Sequence, residues 1–109
     1  MHSRIDRINE LIKKNLAEII QEEAEIPSGV FVTVTRVDTS RDLRYARVFL
    51  SVYPEKNFGK TIEMLEKKLY VLQGLLNKKL HMRPLPRIEF MADRTEAEAD
   101  KIERILKKL

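Results

Sequence analysis

The chain has no cysteine among its 109 residues, which excludes both disulfide bonds and thiolate-ligated metal sites. This composition is compatible with a reducing compartment, so the cytoplasm is the expected location. The sequence also has no apolar run close to the roughly 18 residues that a membrane-spanning helix needs. Its first residues mix charged and apolar side chains, unlike a secretory signal. We therefore expect neither a membrane protein nor a secreted one.

Residues that could carry out catalysis are also scarce. The only histidines are His2 and His81, and neither lies in a pattern with a partner acid or nucleophile. The three glycines are too scattered to form a phosphate-binding loop, and no GxxxxGK[ST], GxGxxG or HExxH motif occurs. The acids Glu96, Glu98 and Asp100 match the dipole at a helix start better than a metal site. The sequence predicts a non-enzymatic protein with no cofactor and no metal.

Positive charge is concentrated in one part of the chain. The formal net charge is only +4, yet residues 67–88 contain no acid and hold six cations. These cations are Lys67, Lys68, Lys78, Lys79, Arg83 and Arg87. A contiguous segment of one sign indicates a surface that faces a polyanion, although a solvated helix face would have the same pattern. We refer to residues 67–88 as the acid-free segment.

Hydrophobic periodicity predicts the element order α-β-β-α-α-β-α within a single domain of residues 1–109. Apolar residues at three- and four-residue spacing predict a first helix that Ser3 caps and that ends near Ala24. Alternating residues predict two strands in a hairpin, with a bulge where the period breaks at Arg36 and Val37. The second strand is the longer and the more apolar in this pattern, so we expect it at the centre of the sheet.

Helical spacing returns after the hairpin and has a glycine in its middle. The sequence Leu72, Gln73, Gly74 predicts either a tolerated glycine or a kink, because glycine inside a helix costs about 1 kcal/mol relative to alanine. A kink there would divide the region into a long helix and a short one that ends near His81. Two prolines then exclude further helix and lead into a short third strand around Ile88.

The C-terminal part predicts one more helix. Thr95 begins a capping-box pattern, and apolar residues follow at helical spacing. The expected fold class is therefore α+β. We expect residues 1–94 to form the core, with helices on one face of a three-stranded sheet, and residues 95–109 to form a C-terminal helix.

Aromatic residues bear on how RNA could be bound. Phe31, Tyr45, Phe49 and Phe90 fall at strand positions typical of a core and match no RNA-stacking signature. We therefore expect recognition of a folded RNA through phosphates and shape. The primary predicted contacts are Lys78, Lys79, Arg83 and Arg87, and the secondary ones are Lys67, Lys68, Arg41, Arg44 and Arg47. The hairpin arginines could equally form a plain solvent-facing surface.

Two ordered motifs resemble the ribosome-binding factor A family. Residues 37–48, VDTSRDLRYARV, fit the family's V-x-x-S-x-D-L-x-x-A-x-V hairpin. Residues 83–95, RPLPRIEFMADRT, fit its R-x-x-P-x-[LI]-x-F-x-x-D-x-[ST] pattern. The spacing near both ends of the chain agrees as well, so the resemblance covers nearly the whole sequence. One difference lies at the kink, where the family usually has Ala-x-Gly and this chain has Leu72 in place of the alanine.

The resemblance implies a type II KH-like domain that lacks the GxxG loop and has a kink between its second and third helices. It also implies a bacterial assembly factor that binds the immature small ribosomal subunit. Such a factor contacts small-subunit ribosomal RNA near its 5′-terminal helix, supports late processing, and leaves before translation. A role in cold adaptation is implied too, assembly GTPases are candidate partners, and a monomer is expected. The alternative from the residues alone is a protein-interaction module whose acid-free segment binds an acidic protein surface.

Overall fold

Helix α1 begins with the cap that the sequence predicts. In the computed structural model, which describes residues 3–82 and 84–93, α1 spans Arg4–Glu23. The Ser3 hydroxyl accepts the backbone N–H of Asp6 at 3.1 Å, and the Asp6 carboxylate accepts the N–H of Ser3 at 3.1 Å. This capping box satisfies two amide groups that a helix start leaves unpaired. The predicted C-terminal helix lies outside the described residues.

Three strands form one mixed sheet in the order β1-β2-β3. Strands β1 (Phe31–Thr39) and β2 (Tyr45–Tyr53) are antiparallel, and β3 (Arg87–Ala92) pairs in parallel with β2. The central position expected for the second strand is confirmed. Its greater length was a wrong prediction, because both hairpin strands have nine residues.

A bulge in β1 explains why this strand is longer than its simple alternation suggested. The predicted bulge is present and lies at Thr35, which has no partner on β2. The Thr35 hydroxyl oxygen is 3.2 Å from the carbonyl oxygen of Phe49. Because one extra residue reverses the alternation, Val37 is buried and Arg36 is exposed.

The core lies between the sheet and the helices. Alternate residues of β2 face it, and Ala46, Val48 and Leu50 are fully buried. From the helix side, α1 contributes a stripe at the predicted spacing. The buried residues of this stripe are Ile8, Ile12, Leu16, Ile19 and Ile20. One contiguous apolar cluster therefore joins the helices to one face of the sheet.

A one-residue break at Lys68 separates the two helices that follow the hairpin. After a short 3-10 turn, Glu55–Asn57, helix α2 spans Phe58–Lys67 and helix α3 spans Leu69–Leu80. The Lys68 amide still donates to carbonyl groups in the last turn of α2, while the Lys68 carbonyl accepts the first bond of α3. Lys68 also crosses to α1, where its Nζ lies 3.2 Å from the carbonyl oxygen of Ala24. The break thus occurs where the helix pair is joined to the C-terminal end of α1.

The predicted helix-kink-helix arrangement is confirmed, but its predicted position at Leu72, Gln73 and Gly74 was wrong, because all three residues lie inside α3 and the break is at Lys68. Leu72 is fully buried, so this leucine fills the core and does not bend the helix. A Cβ added to Gly74 would meet no atom within 4 Å, so nothing in the described fold requires glycine there. The predicted long and short helices are instead helices of 10 and 12 residues, although the end of the second near His81 is confirmed.

Replacing Gly74 with alanine is expected to stabilise the fold by about 1 kcal/mol, because alanine loses less backbone entropy in a helix. The matched variant is Gly29→Ala, since Gly29 has a φ of 84° in the turn before β1, a conformation that strains other residues. Urea-unfolding midpoints should therefore move in opposite directions for the two variants. A loss of stability in Gly74→Ala would show that α3 does need glycine at this position.

Candidate nucleic-acid interface

Two cations of the acid-free segment are engaged within the fold. Lys68 Nζ, besides its hydrogen bond to the Ala24 carbonyl, lies 3.8 Å from a carboxylate oxygen of Glu25. Lys79 Nζ lies 3.4 Å from the carboxylate of Glu18 on α1. Lys68 therefore links the helix pair to the C-terminal end of α1, and Lys79 adds a weaker, partly exposed ion pair to the same helix. The sequence pattern did not reveal either contact.

Lys67 and Lys78 are exposed, and so is Lys79 despite its contact with Glu18. Lys67 lies 3.5 Å from the carboxylate of Glu63 one turn earlier, and both side chains are mostly in solvent, so this pair is weak. In the part of the chain that the structure describes, no carboxylate lies within 4.0 Å of the Lys78 amine. Lys78 is thus the most available of the three for a polyanion.

A groove of about 620 Å³ lies at the C-terminal end of α3. It is lined by Asn77, Lys78, His81, Met82, Pro84 and Leu85. His81 ends the helix with a φ of 50°, a left-handed conformation that turns the chain back toward β3. Arg83, one of the primary predicted contacts, lies outside the described residues, so its role stays a prediction.

Arg87 and the hairpin arginines meet at one end of the sheet. Arg87 is the first residue of β3, because parallel pairing begins opposite Tyr45. Its N–H donates to the carbonyl oxygen of Arg44 at 2.8 Å. Arg41 and Arg44 lie in the hairpin turn and are exposed, and Arg44 Nε is 3.8 Å from the carboxylate of Asp42. The hairpin turn and the start of β3 are therefore in direct contact.

Gln73 fixes the position of this strand start. Its Nε2 donates to the carbonyl oxygen of Pro86 at 3.2 Å, and its Oε1 accepts the N–H of Ile88 at 2.9 Å. One side-chain amide thus holds the backbone on both sides of Arg87 against α3. Sequence reasoning had assigned Gln73 only to a kink and missed this role, because nothing local shows which backbone groups a glutamine will reach.

Lys78 belongs to the same end of the molecule. Since β2 and β3 are parallel, the helices between them must return the chain to the end where both strands begin. The last turns of α3 therefore approach the hairpin turn and Arg87. We call the exposed cations Arg41, Arg44, Lys78 and Arg87 the basic end. Residues more than 40 positions apart in sequence are brought together there.

Arg47 lies apart from the basic end, on the sheet face opposite the helices, which we call the open face. It is exposed, and its register partners are Asp38 on β1 and Glu89 on β3. Directly paired residues share a face of a sheet, so two carboxylates flank this arginine. Arg47 is thus the least suited of the predicted contacts to attract a phosphate.

The open face also carries aromatic residues that were expected in the core. Phe31 is 65% exposed and Tyr45 is 46% exposed, so the core prediction was wrong for both. Phe49 is half-buried beneath Arg36, whose guanidinium carbon lies 4.0 Å from the ring centroid. Phe90 packs against the core as expected. Alternation separates the two faces of a strand, but it does not show which of two apolar faces the helices will cover.

The hairpin turn is held by the serine and aspartate of the first motif. Ser40 Oγ donates to Asp42 Oδ1 at 2.6 Å, and the same carboxylate accepts the N–H of Arg44 at 3.1 Å. The Ser40 hydroxyl also accepts the N–H of Tyr45 at 3.1 Å. The hydrogen bonds from Ser40 and then Arg44 lower the pKa of Asp42 below the ordinary value of 3.8. This network fixes the backbone that presents two arginines of the basic end.

The turn is expected to weaken in acid. Because the pKa of Asp42 is lowered in the folded state, its carboxylate stabilises the fold fully above pH 3.8, and this stabilisation is lost as the pH falls through the folded-state pKa. When melting temperature is measured against pH, Asp42→Asn should show a smaller decrease at acidic pH than the unmodified protein. Asp38→Asn is the control and should keep the full decrease. An identical decrease in Asp42→Asn and the unmodified protein would contradict the assignment.

Two further properties concern residues 3–82 and 84–93 alone. No helix in these ranges combines the length and the apolar character that crossing a membrane requires. Nor do three or more histidine, cysteine, aspartate or glutamate side chains there come together as a metal-binding group.

These features define a small α+β binding domain in which a mixed sheet and a broken helix pair present cations from separate elements. The family model for ribosome-binding factor A matches residues 4–106. The chain therefore belongs to the ribosome-binding factor A family, whose members are non-enzymatic ribosome assembly factors. The family recognised from the two motifs is thus confirmed.

Individual relatives agree with this assignment. Ribosome-binding factor A of Natranaerobius thermophilus is 38% identical over 107 residues, which cover 97% of this chain and 82% of the relative. The crystal structure of ribosome-binding factor A from Thermus thermophilus matches with a TM-score of 0.74 and 26% identity, covering 85% of this chain and all of that one. A model of the Thermus thermophilus protein, fitted into a cryo-EM map of its complex with 30S, has a TM-score of 0.65 and 30% identity, covering 78% and 90%.

Proposed function

We propose that this protein is an assembly factor that binds the immature small ribosomal subunit through its basic end. The observation that carries the proposal is the contact of the hairpin turn, which presents Arg41 and Arg44, with the start of β3 at Arg87. The parallel pairing of β2 and β3 returns α3, with the exposed Lys78, toward the same end. Cations on a turn, a helix end and a strand start suit phosphates spread over a folded RNA surface. The complex of the related Thermus protein with 30S supports the small subunit as the partner.

Such binding would favour one arrangement of the ribosomal RNA over others without making or breaking bonds, since a ligand shifts an equilibrium toward the state that it binds more tightly. The family resemblance supports the finer parts of the proposal. These are a type II KH-like domain over residues 1–109, contact near the 5′-terminal helix of the RNA, late processing, and departure before translation. The same resemblance supports a cytoplasmic monomer with a role in cold adaptation, and it makes assembly GTPases candidates for release.

Affinity for small subunits is expected to fall steeply with salt. If the four cations of the basic end each neutralise a phosphate, the logarithm of the association constant should decrease against the logarithm of salt concentration with a slope of roughly −3 to −4. Pelleting the tagged protein with purified immature and mature subunits over a potassium chloride series measures this slope. The same series shows whether immature subunits are preferred.

The rival function is a protein-interaction module that binds an acidic protein surface. Nuclease treatment separates the two, because an RNA contact is lost when the RNA is digested and a protein contact is not. A salt profile that stays flat, or retention on subunit proteins after digestion, would favour the rival.

A further inference from the structure

We propose that the open face of the sheet is a second RNA-binding surface, on which Phe31 and Tyr53 stack unpaired nucleotides and Arg36, held over Phe49, contacts their phosphates. This inference rests on the proposed function, because it names the kind of RNA that the small subunit would present to this face. The basic end offers charges to the phosphates of folded RNA, whereas the open face offers aromatic rings, which every base can stack on.

The first observation is an aromatic pair that the fold leaves in solvent. Phe31 and Tyr53 are register partners across β1 and β2, and they are 65% and 71% exposed. The core lies behind them, on the opposite face of the sheet, so they are not needed to fill it. Large apolar side chains grouped on a surface are typical of an interaction site.

The second observation is a cation fixed over a ring on the same face. The Arg36 guanidinium lies 4.0 Å from the Phe49 ring centroid, and Met91, the register partner of Phe49 on β3, is 38% exposed. A guanidinium stacked on a ring keeps its N–H groups free at the edges for a phosphate. The bulge at Thr35 brings Arg36 to this face, so a local irregularity of β1 builds this part of the surface.

The spacing of these two groups suits a short single strand of RNA. Phe49 and Tyr53 are four residues apart on β2, which corresponds to about 13 Å along the strand. Between them lie the register partners Thr33 and Ser51, whose hydroxyl groups can donate to or accept from base edges. The surface therefore alternates ring, hydroxyl and ring with a cation over the second ring.

The charges of this region favour RNA over an apolar protein partner. From the Phe31–Tyr53 pair to the row of Arg36 and Phe49, the strand residues of the open face include one arginine and no acid. The carboxylates of Asp38 and Glu89 flank Arg47 in the next row, which limits the surface on that side. Asp93, just after β3, accepts a hydrogen bond from the Thr35 hydroxyl.

Removing the two exposed rings is the direct test. Phe31→Leu with Tyr53→Leu keeps apolar side chains on the strands but removes the stacking surfaces, and circular dichroism and melting temperature monitor the fold. The control is Tyr70→Leu, because Tyr70 is an aromatic residue of α3 that is 92% exposed. The probes are a fluorescein-labelled oligouridine strand and the same strand annealed to its complement, with binding measured by fluorescence anisotropy.

The unmodified chain should bind the single strand more tightly than the duplex. The double variant should lose about tenfold or more in affinity for the single strand, since each stacked base contributes on that scale, while the control should bind normally. Arg36→Gln, made separately, should lower the affinity severalfold and reduce its salt dependence.

Equal single-strand affinity in the double variant and the unmodified protein would overturn the proposal, as would a preference for duplex. Subunit pelleting in parallel distinguishes this failure from failure of the proposed function. A protein that pellets with small subunits but does not bind oligouridine lacks the stacking surface and keeps the function. If sedimentation velocity shows a dimer for the unmodified chain and a monomer for the double variant, a second copy of the chain occupies the open face and the RNA inference is wrong.

Discussion

Reversing two charges of the basic end, Lys78→Glu with Arg87→Glu, is expected to lower the affinity for small ribosomal subunits roughly a hundredfold. Each lysine or arginine loses a charge-assisted contact to phosphate, and each new carboxylate repels the RNA. The salt slope should also fall by about 2. Both side chains are exposed, so the free energy of unfolding should change by less than about 0.5 kcal/mol for each substitution.

The matched control for this experiment is Lys56→Glu with Lys60→Glu. Both lysines are exposed and follow the end of β2, at the opposite end of the sheet, and the change in net charge is the same. A control that loses as much affinity would show that total charge matters and position does not. Normal binding by the Lys78 and Arg87 variant would show that the RNA meets another surface.

Leu72→Ala is expected to have the largest effect on stability, about 2–5 kcal/mol of destabilisation. Leu72 is fully buried in the apolar core, so truncation removes its apolar contacts and leaves a cavity there. This loss is a large share of the roughly 5–15 kcal/mol that holds a typical small domain folded. The substitution is informative because it introduces the alanine that the family resemblance leads one to expect at this position.

Urea unfolding of Leu72→Ala measures this loss. Val71→Ala is the control, because Val71 is the preceding residue on α3 but is 55% exposed, and it should change the free energy of unfolding little. A destabilisation below about 1 kcal/mol for Leu72→Ala would mean that the helix pair moves to fill the cavity.

The parts of the fold that were predicted well depend on local interactions. Ser3 and Asp6 form a capping box within one helical turn, and the bulge in β1 appears as a break in a two-residue period. The hairpin turn is similar, since Ser40 and Asp42 bond to each other and to neighbouring backbone groups. Such patterns are complete within a few residues, so the sequence contains the whole signal.

The parts that were missed depend on contacts between distant residues. Gly74 indicated a kink by its helix propensity, but α3 is continuous through the buried Leu72 and through Gly74, and the break occurs at Lys68 instead. Likewise, Lys78 and Lys79 are adjacent in sequence, yet only Lys79 reaches Glu18 on α1. The acid-free segment was therefore a sound guide to positive charge and a poor guide to which cations are available.

The hydrogen bonds of Gln73 have a consequence for association between molecules. Within the described residues β3 is an edge strand, and the unpaired amide and carbonyl groups of an edge can recruit a strand from another chain. Gln73 occupies the carbonyl of Pro86 and the amide of Ile88, two groups that such a strand would need. The Gln73 side chain thus makes two hydrogen bonds that a fourth strand would otherwise make, and it protects the edge beside Arg87 from aggregation through strand addition.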